Sequence, residues 1–152
     1  MAFQIFTSAF VDGGWIPDLY TCQGAEVSPS LEWLGEPPET RSFALIMDDP
    51  DAPGGVWSHW LVYDILGRAH NLAQGYKPGK LGISGKNSWG KAGYGGPCPP
   101  KGHGPHRYFF RLSALDVPTL GLAAGAGREE LQHAMRAHVL GEAQFMGRYE
   151  RR

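Results

Sequence analysis

The chain has 152 residues, 42% of them hydrophobic, with 14 basic and 15 acidic side chains and a formal net charge of -1. That length supports one domain over 1–152, with a core large enough to stand without metal or disulfide staples. The near-neutral total excludes a surface built to wrap duplex nucleic acid or coat an anionic membrane. No run approaches the ~18 apolar residues of a membrane span, and Met1 to Phe10 lacks the basic and apolar regions of a secretory signal, so a cytoplasmic location is expected. Cys22 and Cys98 form no CxxC pair, which excludes a zinc ribbon or thioredoxin-type motif. In a reducing compartment two free, packed thiols are expected, with a long-range disulfide as the alternative.

The 22 glycines and 12 prolines punctuate the chain too often for long helices and predict short strands joined by turns. Ser42–Met47, SFALIM, is apolar on both period-2 faces, as a central strand covered on both sides should be. It ends at Asp-Pro punctuation. In the next run, alternation from His59 to Ile65 predicts His59, Leu61, Tyr63 and Ile65 on one face and Trp60, Val62 and Asp64 on the other. Between Gly75 and Pro105 lie ten glycines, five prolines and all five lysines (Lys77, Lys80, Lys86, Lys91, Lys101), with no acidic residue. Trp89, Tyr94 and the rigid PCPP at 97–100 set this segment apart from a flexible linker and predict an ordered, functional loop. It runs into a third strand, His106–Leu115, with His106, Tyr108, Phe110 and Leu112 opposite Arg107, Phe109, Arg111 and Ser113. Leu131, Ala134, Met135, His138 and Val139 then recur at helical spacing and predict a helix over Arg128–Leu140, with His133, Met135 and His138 as residues of its faces. Beyond Gly141, the alternation Ala143, Phe145, Gly147, Tyr149 predicts a last short strand.

The chemistry concentrates at DDPDAPGGVWSHW, residues 48–60, and at the histidine opening the third strand. Two like charges ~4 Å apart repel by ~4 kcal/mol at an effective dielectric of ~20, so Asp48, Asp49 and Asp51 call for cations or donors nearby. His59, His106 and Arg107 are the candidates, with Arg107, on the opposite strand face from His106, expected to pair with an aspartate. Two imidazoles held by carboxylates, beside backbone N–H groups of a glycine-rich loop, would form a pocket for a small anion. A His, His, Asp set also suits a first-row metal, with His103, Cys98 and Asp48 as further ligands, and that reading stands as the competitor. A serine hydrolase is disfavoured because there is no G-x-S-x-G elbow and Ser58 faces away from His59; Cys98 is a nucleophile candidate or a packed loop thiol. The glycines match no phosphate-loop or dinucleotide fingerprint.

Together DDPDAPGG, HWLVYDI and YGGPCPPKGHGPHRYFFRLSALD, with CQGAEVSPSLEW at 22–33 and AMRAHVLGEAQFMGRYERR at the C-terminus, resemble the phosphatidylethanolamine-binding protein family in its bacterial, Raf kinase inhibitor-like branch. The resemblance implies a mainly β fold: an antiparallel Greek-key β-sandwich with a large central sheet, a smaller sheet and one C-terminal helix. It implies a pocket lined by Asp49, Asp51, Pro53, Trp57, His59, Gly96, Pro99, His106 and Tyr108, with Arg107 in support. The implied function is non-catalytic binding of small anions or phosphorylated ligands (phosphate, a phosphomonoester or a phospholipid head group), without cofactor or metal, with regulation of a protein partner as an extension. The alternative is a metal-dependent or acid-base hydrolase using the same cluster. The connection Gly54–Trp57 is shorter than in eukaryotic members and the C-terminal helix over the mouth is missing, so kinase inhibition transfers poorly. The loop lysines are expected to attract anions weakly, and a homodimer fits a sandwich with exposed edges.

Overall fold

A computed structural model describes residues 2–79 and 81–152. Eight strands, β1 Gln4–Phe6, β2 Leu31–Leu34, β3 Ser42–Asp49, β4 Trp57–Leu66, β5 Asn71–Leu72, β6 Ile83–Ser84, β7 His106–Leu115 and β8 Val139–Tyr149, accompany one α-helix, α1 Arg128–Met135. They form two antiparallel sheets, a small one ordered β1-β2-β5 and a large one ordered β6-β4-β3-β7-β8. After β6 the chain crosses to the far side of β3, which is Greek-key order.

The period-2 pattern of β3 builds two cores. Phe43, Leu45 and Met47 face the small sheet and meet Ile5, Leu31, Trp33 and Leu72, while Ala44 and Ile46 face α1 and meet Leu131 and Met135. Each large apolar side chain so buried contributes roughly 1.5–3 kcal/mol. This burial explains why strands as short as Asn71–Leu72 persist: Leu72 is fully buried even though its strand contributes few ladder bonds.

Three features depart from the sequence expectations. First, β4 does not alternate strictly. Phe43 pairs with Ile65 but Leu45 with Val62, and Met47 pairs with Trp60 but Asp48 with Ser58, so two bulges interrupt the ladder at Tyr63/Asp64 and at His59. Asp64 takes a positive φ of 52° there, and its carboxylate accepts bonds from Thr119 Oγ1 and the Leu120 N–H. Each extra residue resets the face, which puts Trp60, Val62 and Ile65 together in the sandwich core and Leu61 and Tyr63 under the helix. Second, the helix ends at Met135, not Leu140. Val139 pairs with Leu115, Asp116 N–H donates to His138 O, and His138 Nδ1 lies 2.9 Å from Asp116 Oδ1, so sheet pairing overrides the helical spacing beyond Met135. His138 therefore leaves the helix, and the last strand runs for 11 residues.

Third, the cysteines are not free: Cys22 and Cys98 are joined in a disulfide, with Cα atoms 5.4 Å apart. The Gly75–Pro105 loop packs against the segment after the 3-10 turn Asp18–Tyr20, where Cys22 N–H donates to Pro97 O and Tyr94 Oη to Tyr20 O. A sequence separation of 76 carries no information about that approach. The alternative of a long-range disulfide therefore replaces the two free thiols expected of a reducing compartment. Among the described residues no helix is long and apolar enough to cross a membrane.

Candidate functional site

The turn after β3, the start of β4, the Gly/Pro loop and the start of β7 surround a cavity of about 260 Å³ lined by Asp49, Ala52, Pro53, Trp57, His59, Trp89, Cys98, Pro99, Pro100, His106 and Tyr108. A larger groove between β1 and β8, about 450 Å³, has Asp12 as its one charged lining residue, and that carboxylate is occupied by the Met146 N–H. Of the two, the smaller cavity is the one on which titratable groups converge.

Its floor starts at Asp49, which is 3% exposed and continues the sandwich face of β3. One carboxylate oxygen accepts the Asp51 N–H at 2.8 Å, which closes the Asp-Pro-Asp turn, and the other accepts from His106 Nδ1 at 2.7 Å. A carboxylate can only accept, so His106 carries its proton on Nδ1. Its Nε2 lies 2.6 Å from Nδ1 of His103, so one proton is shared between the two rings. Asp49, His106 and His103 thus form a chain from the buried turn to the exposed rim.

His59 is the residue of the second bulge, and the bulge turns it to the face of Tyr108 and His106. Its ring stands edge-on to Tyr108 at 5.2 Å and to Trp89 at 4.9 Å. Nδ1–H donates to Gly95 O at 2.8 Å. Burial is the main influence on this imidazole and lowers its pKa from the usual 6.5, against the opposing bond to Gly95 and the fields of Asp49 and Asp48. Tyr108 is fully buried, and its hydroxyl makes no hydrogen bond of good geometry among the described residues, with the Asp49 carboxylate nearby. Burial first, and the Asp49 carboxylate second, push its pKa up. Trp57 and Trp89, edge to face at 5.5 Å, form the outer wall with Pro53, Pro99 and Pro100.

The Gly/Pro loop is ordered by named bonds. Ser88 N–H and Gly95 N–H donate to Ser58 O and His59 O of β4, and the Asn87 side chain accepts from Trp89 and Lys91 N–H while donating to Gly93 O. Gly95 is required here: a Cβ would sit 2.3 Å from the Trp89 ring.

Of the residues expected at the pocket, Asp49, Pro53, Trp57, His59, Pro99, His106 and Tyr108 line the cavity; Asp51 and Gly96 do not. The Asp51 carboxylate is gripped by Arg107, at 2.9 Å from both its N–H and Nε and 2.8 Å from Nη2, and Arg107 holds its pKa low. Gly96 donates its N–H to Glu26 Oε2 and packs so closely on Tyr20 that a Cβ would lie 2.5 Å from its carbonyl oxygen. Asp48 points the other way, to Ser58 Oγ at 2.7 Å and Arg128 Nη2 at 2.9 Å, and ties α1 to the sheet. With Asp48 on the helix face and Cys98 in a disulfide, neither is available as a metal ligand at the pocket, nor Cys98 as a nucleophile. Among the described residues no three His, Cys, Asp or Glu side chains gather in a metal-holding arrangement. Of the lysines, Lys77, Lys86, Lys91 and Lys101 are exposed and outside the pocket lining, and Lys80 lies outside the described residues. Trp89 was not expected at the pocket; an aromatic in a Gly/Pro loop was its only signal. His103, expected as a further metal ligand, instead meets the site through His106 Nε2.

The fold and site define a Greek-key sandwich with one His/Asp/Tyr cavity at the end of its central strands. Residues 6–150 match the phosphatidylethanolamine-binding protein family, and the chain belongs to that family. It is 46% identical to a UPF0098 protein of Aquifex aeolicus over 151 residues, 97% of this chain and 88% of that one. A putative phosphatidylethanolamine-binding protein homolog of Chlamydia trachomatis superposes with a TM-score of 0.91 at 39% identity over 99% of each chain. E. coli YbcL, described as a member of the mammalian family, superposes at 0.93 with 32% identity over the full length of both.

Proposed function

We propose that the cavity binds a small anion, phosphate or a phosphomonoester including a phospholipid head group, reversibly and without chemical change. The observation that carries this reading is the Tyr108 hydroxyl, a buried donor without a partner at the floor of the cavity. Leaving such a group unpaired costs roughly 1–3 kcal/mol, which an oxyanion accepting from it would recover. The neighbouring imidazoles add polar contacts, and the tryptophan and proline wall gives them an apolar setting, which strengthens each bond inside. Family membership supports a ligand site in general. The site as built differs from the expectation of two carboxylate-held imidazolium rings: only His106 has an aspartate, and His59 is held by a carbonyl.

Calorimetric titration with inorganic phosphate and with O-phosphoethanolamine tests the proposal. Tyr108→Phe is expected to weaken either ligand about tenfold, while unfolding stability stays within ~0.5 kcal/mol because the hydroxyl has no protein partner to lose. Unchanged affinity in that variant would remove Tyr108 from the site. Release of phosphate from the monoester during the titration would replace binding by hydrolysis.

A further inference from the structure

Resting on that binding reading, we infer that the pocket selects phosphate groups in their singly protonated form and rejects sulfate, because the edge that His59 turns to the cavity is fixed as a hydrogen-bond acceptor. The geometry assigns the tautomer. Gly95 O, 2.8 Å from Nδ1, has no proton to give, so Nδ1 must donate. In the neutral ring Nε2 then keeps its lone pair. It makes no hydrogen bond among the described residues, and His59 belongs to the cavity wall.

The groups facing this ring set its charge. The bond to Gly95, Asp49 and Asp48 on β3 and the backbone of Gly96 favour the protonated form, whereas Trp89 of the loop and Tyr108 of β7 enclose it in aromatic surface. Burial outweighs the carboxylates, and the neutral form is favoured. A ligand oxygen carrying a proton can donate to Nε2, and a second oxygen can accept from the Tyr108 hydroxyl. Inorganic phosphate supplies both types of oxygen through neutral pH, and a phosphomonoester, with a second pKa of about 6, does so at and below that pH. Sulfate has no proton to offer, so it meets the Nε2 lone pair with its own or must bring a proton into a buried site. A site built to bond a ligand hydroxyl discriminates strongly against the analogue lacking it.

Phosphate and sulfate, as sodium salts at equal ionic strength, are titrated into the protein from about pH 5.5 to about pH 8, and long-range proton–nitrogen spectra report the His59 tautomer. Phosphate is expected to bind at least about tenfold more tightly than sulfate near neutrality. Inorganic phosphate keeps at least one proton over this range, so its affinity should change little, sulfate should gain only as the solution is acidified, and His59 Nε2 should resonate as an unprotonated nitrogen. His59→Gln, whose amide can donate or accept, should bring the two anions close to parity. Equal affinities for phosphate and sulfate in the unaltered protein, or a doubly protonated His59 near neutrality, would overturn the selectivity and leave the binding reading intact. Binding of neither anion would overturn both.

Discussion

Two neighbouring aspartates on β3 show how differently the two faces of one strand use the same carboxylate. Asp48 faces α1, where Ser58 and the guanidinium of Arg128 hold it, and Arg128 itself is 30% exposed. Asp49 faces the cavity, where the Asp51 N–H and His106 Nδ1–H are its partners and both members of the His106 pair are almost fully buried. The helix-face pair is a clamp that water can partly replace. The pocket-face pair is almost wholly buried, and it borders the cavity.

The largest expected effect concerns the pocket side alone. Replacing both cysteines, Cys22→Ser with Cys98→Ser, removes a cross-link spanning 76 residues of sequence separation. Chain-entropy arguments give about 4 kcal/mol for a loop of that size. Urea unfolding should show that loss, and phosphate affinity should fall with it because Cys98 is part of the cavity wall. An unchanged midpoint would mean that the hydrogen bonds to Glu26 and Tyr20 suffice to hold the wall.

Next, Asp49→Ala strands the buried His106 Nδ1–H and the part-buried Asp51 N–H and should cost about 3 kcal/mol together with phosphate binding, whereas Asp48→Ala should cost about 1 kcal/mol and leave phosphate binding intact. Parallel unfolding and titration of the two variants decide it; similar losses of binding in both would dissolve the contrast between the faces. A smaller effect is expected at the rim. His103 occupies His106 Nε2, and a ligand must displace it to reach that atom. His103→Ala is expected to raise phosphate affinity roughly threefold with stability changed by less than ~0.5 kcal/mol, because the side chain is exposed.

The smallest effect belongs to the Asp51–Arg107 fork, which is exposed on the arginine side. Asp51 has a lowered pKa in the folded protein, so its contribution is fully present above the unfolded carboxyl's usual 3.8 and is lost as pH falls through the lower folded value. Acid unfolding of Arg107→Ala should lose that pH dependence, while phosphate affinity near neutrality remains as it was, since Asp51 lies outside the cavity lining. A marked drop in affinity would place the fork in the site.

Much of this was legible in local pattern. Alternation in β3 and β7 placed Tyr108 and His106 on the buried face and Arg107 opposite, and the acidic turn with GPHRY marked the site. Where local pattern failed, a long-range contact had intervened. The parity of β4 failed because two bulges, set by pairing with β3, each insert a residue. Gly96 and Asp51 had the right residue types, yet their hydrogen-bonding groups were claimed by Glu26 and Arg107, and nothing in their own segments announces those partners.

By itself the sequence determined the strand-rich class and the faces of the regular strands β3 and β7. These follow from side-chain period and from the conformational limits of proline and glycine, which act over a few residues. Only the tertiary structure decided that His59 turns inward and takes a carbonyl as its partner, that Cys22 meets Cys98, and that Asp48 serves the helix while Asp49 serves the pocket. Each of those outcomes depends on which backbone atoms two distant segments bring together, and a bulge of one residue is enough to exchange one face for the other.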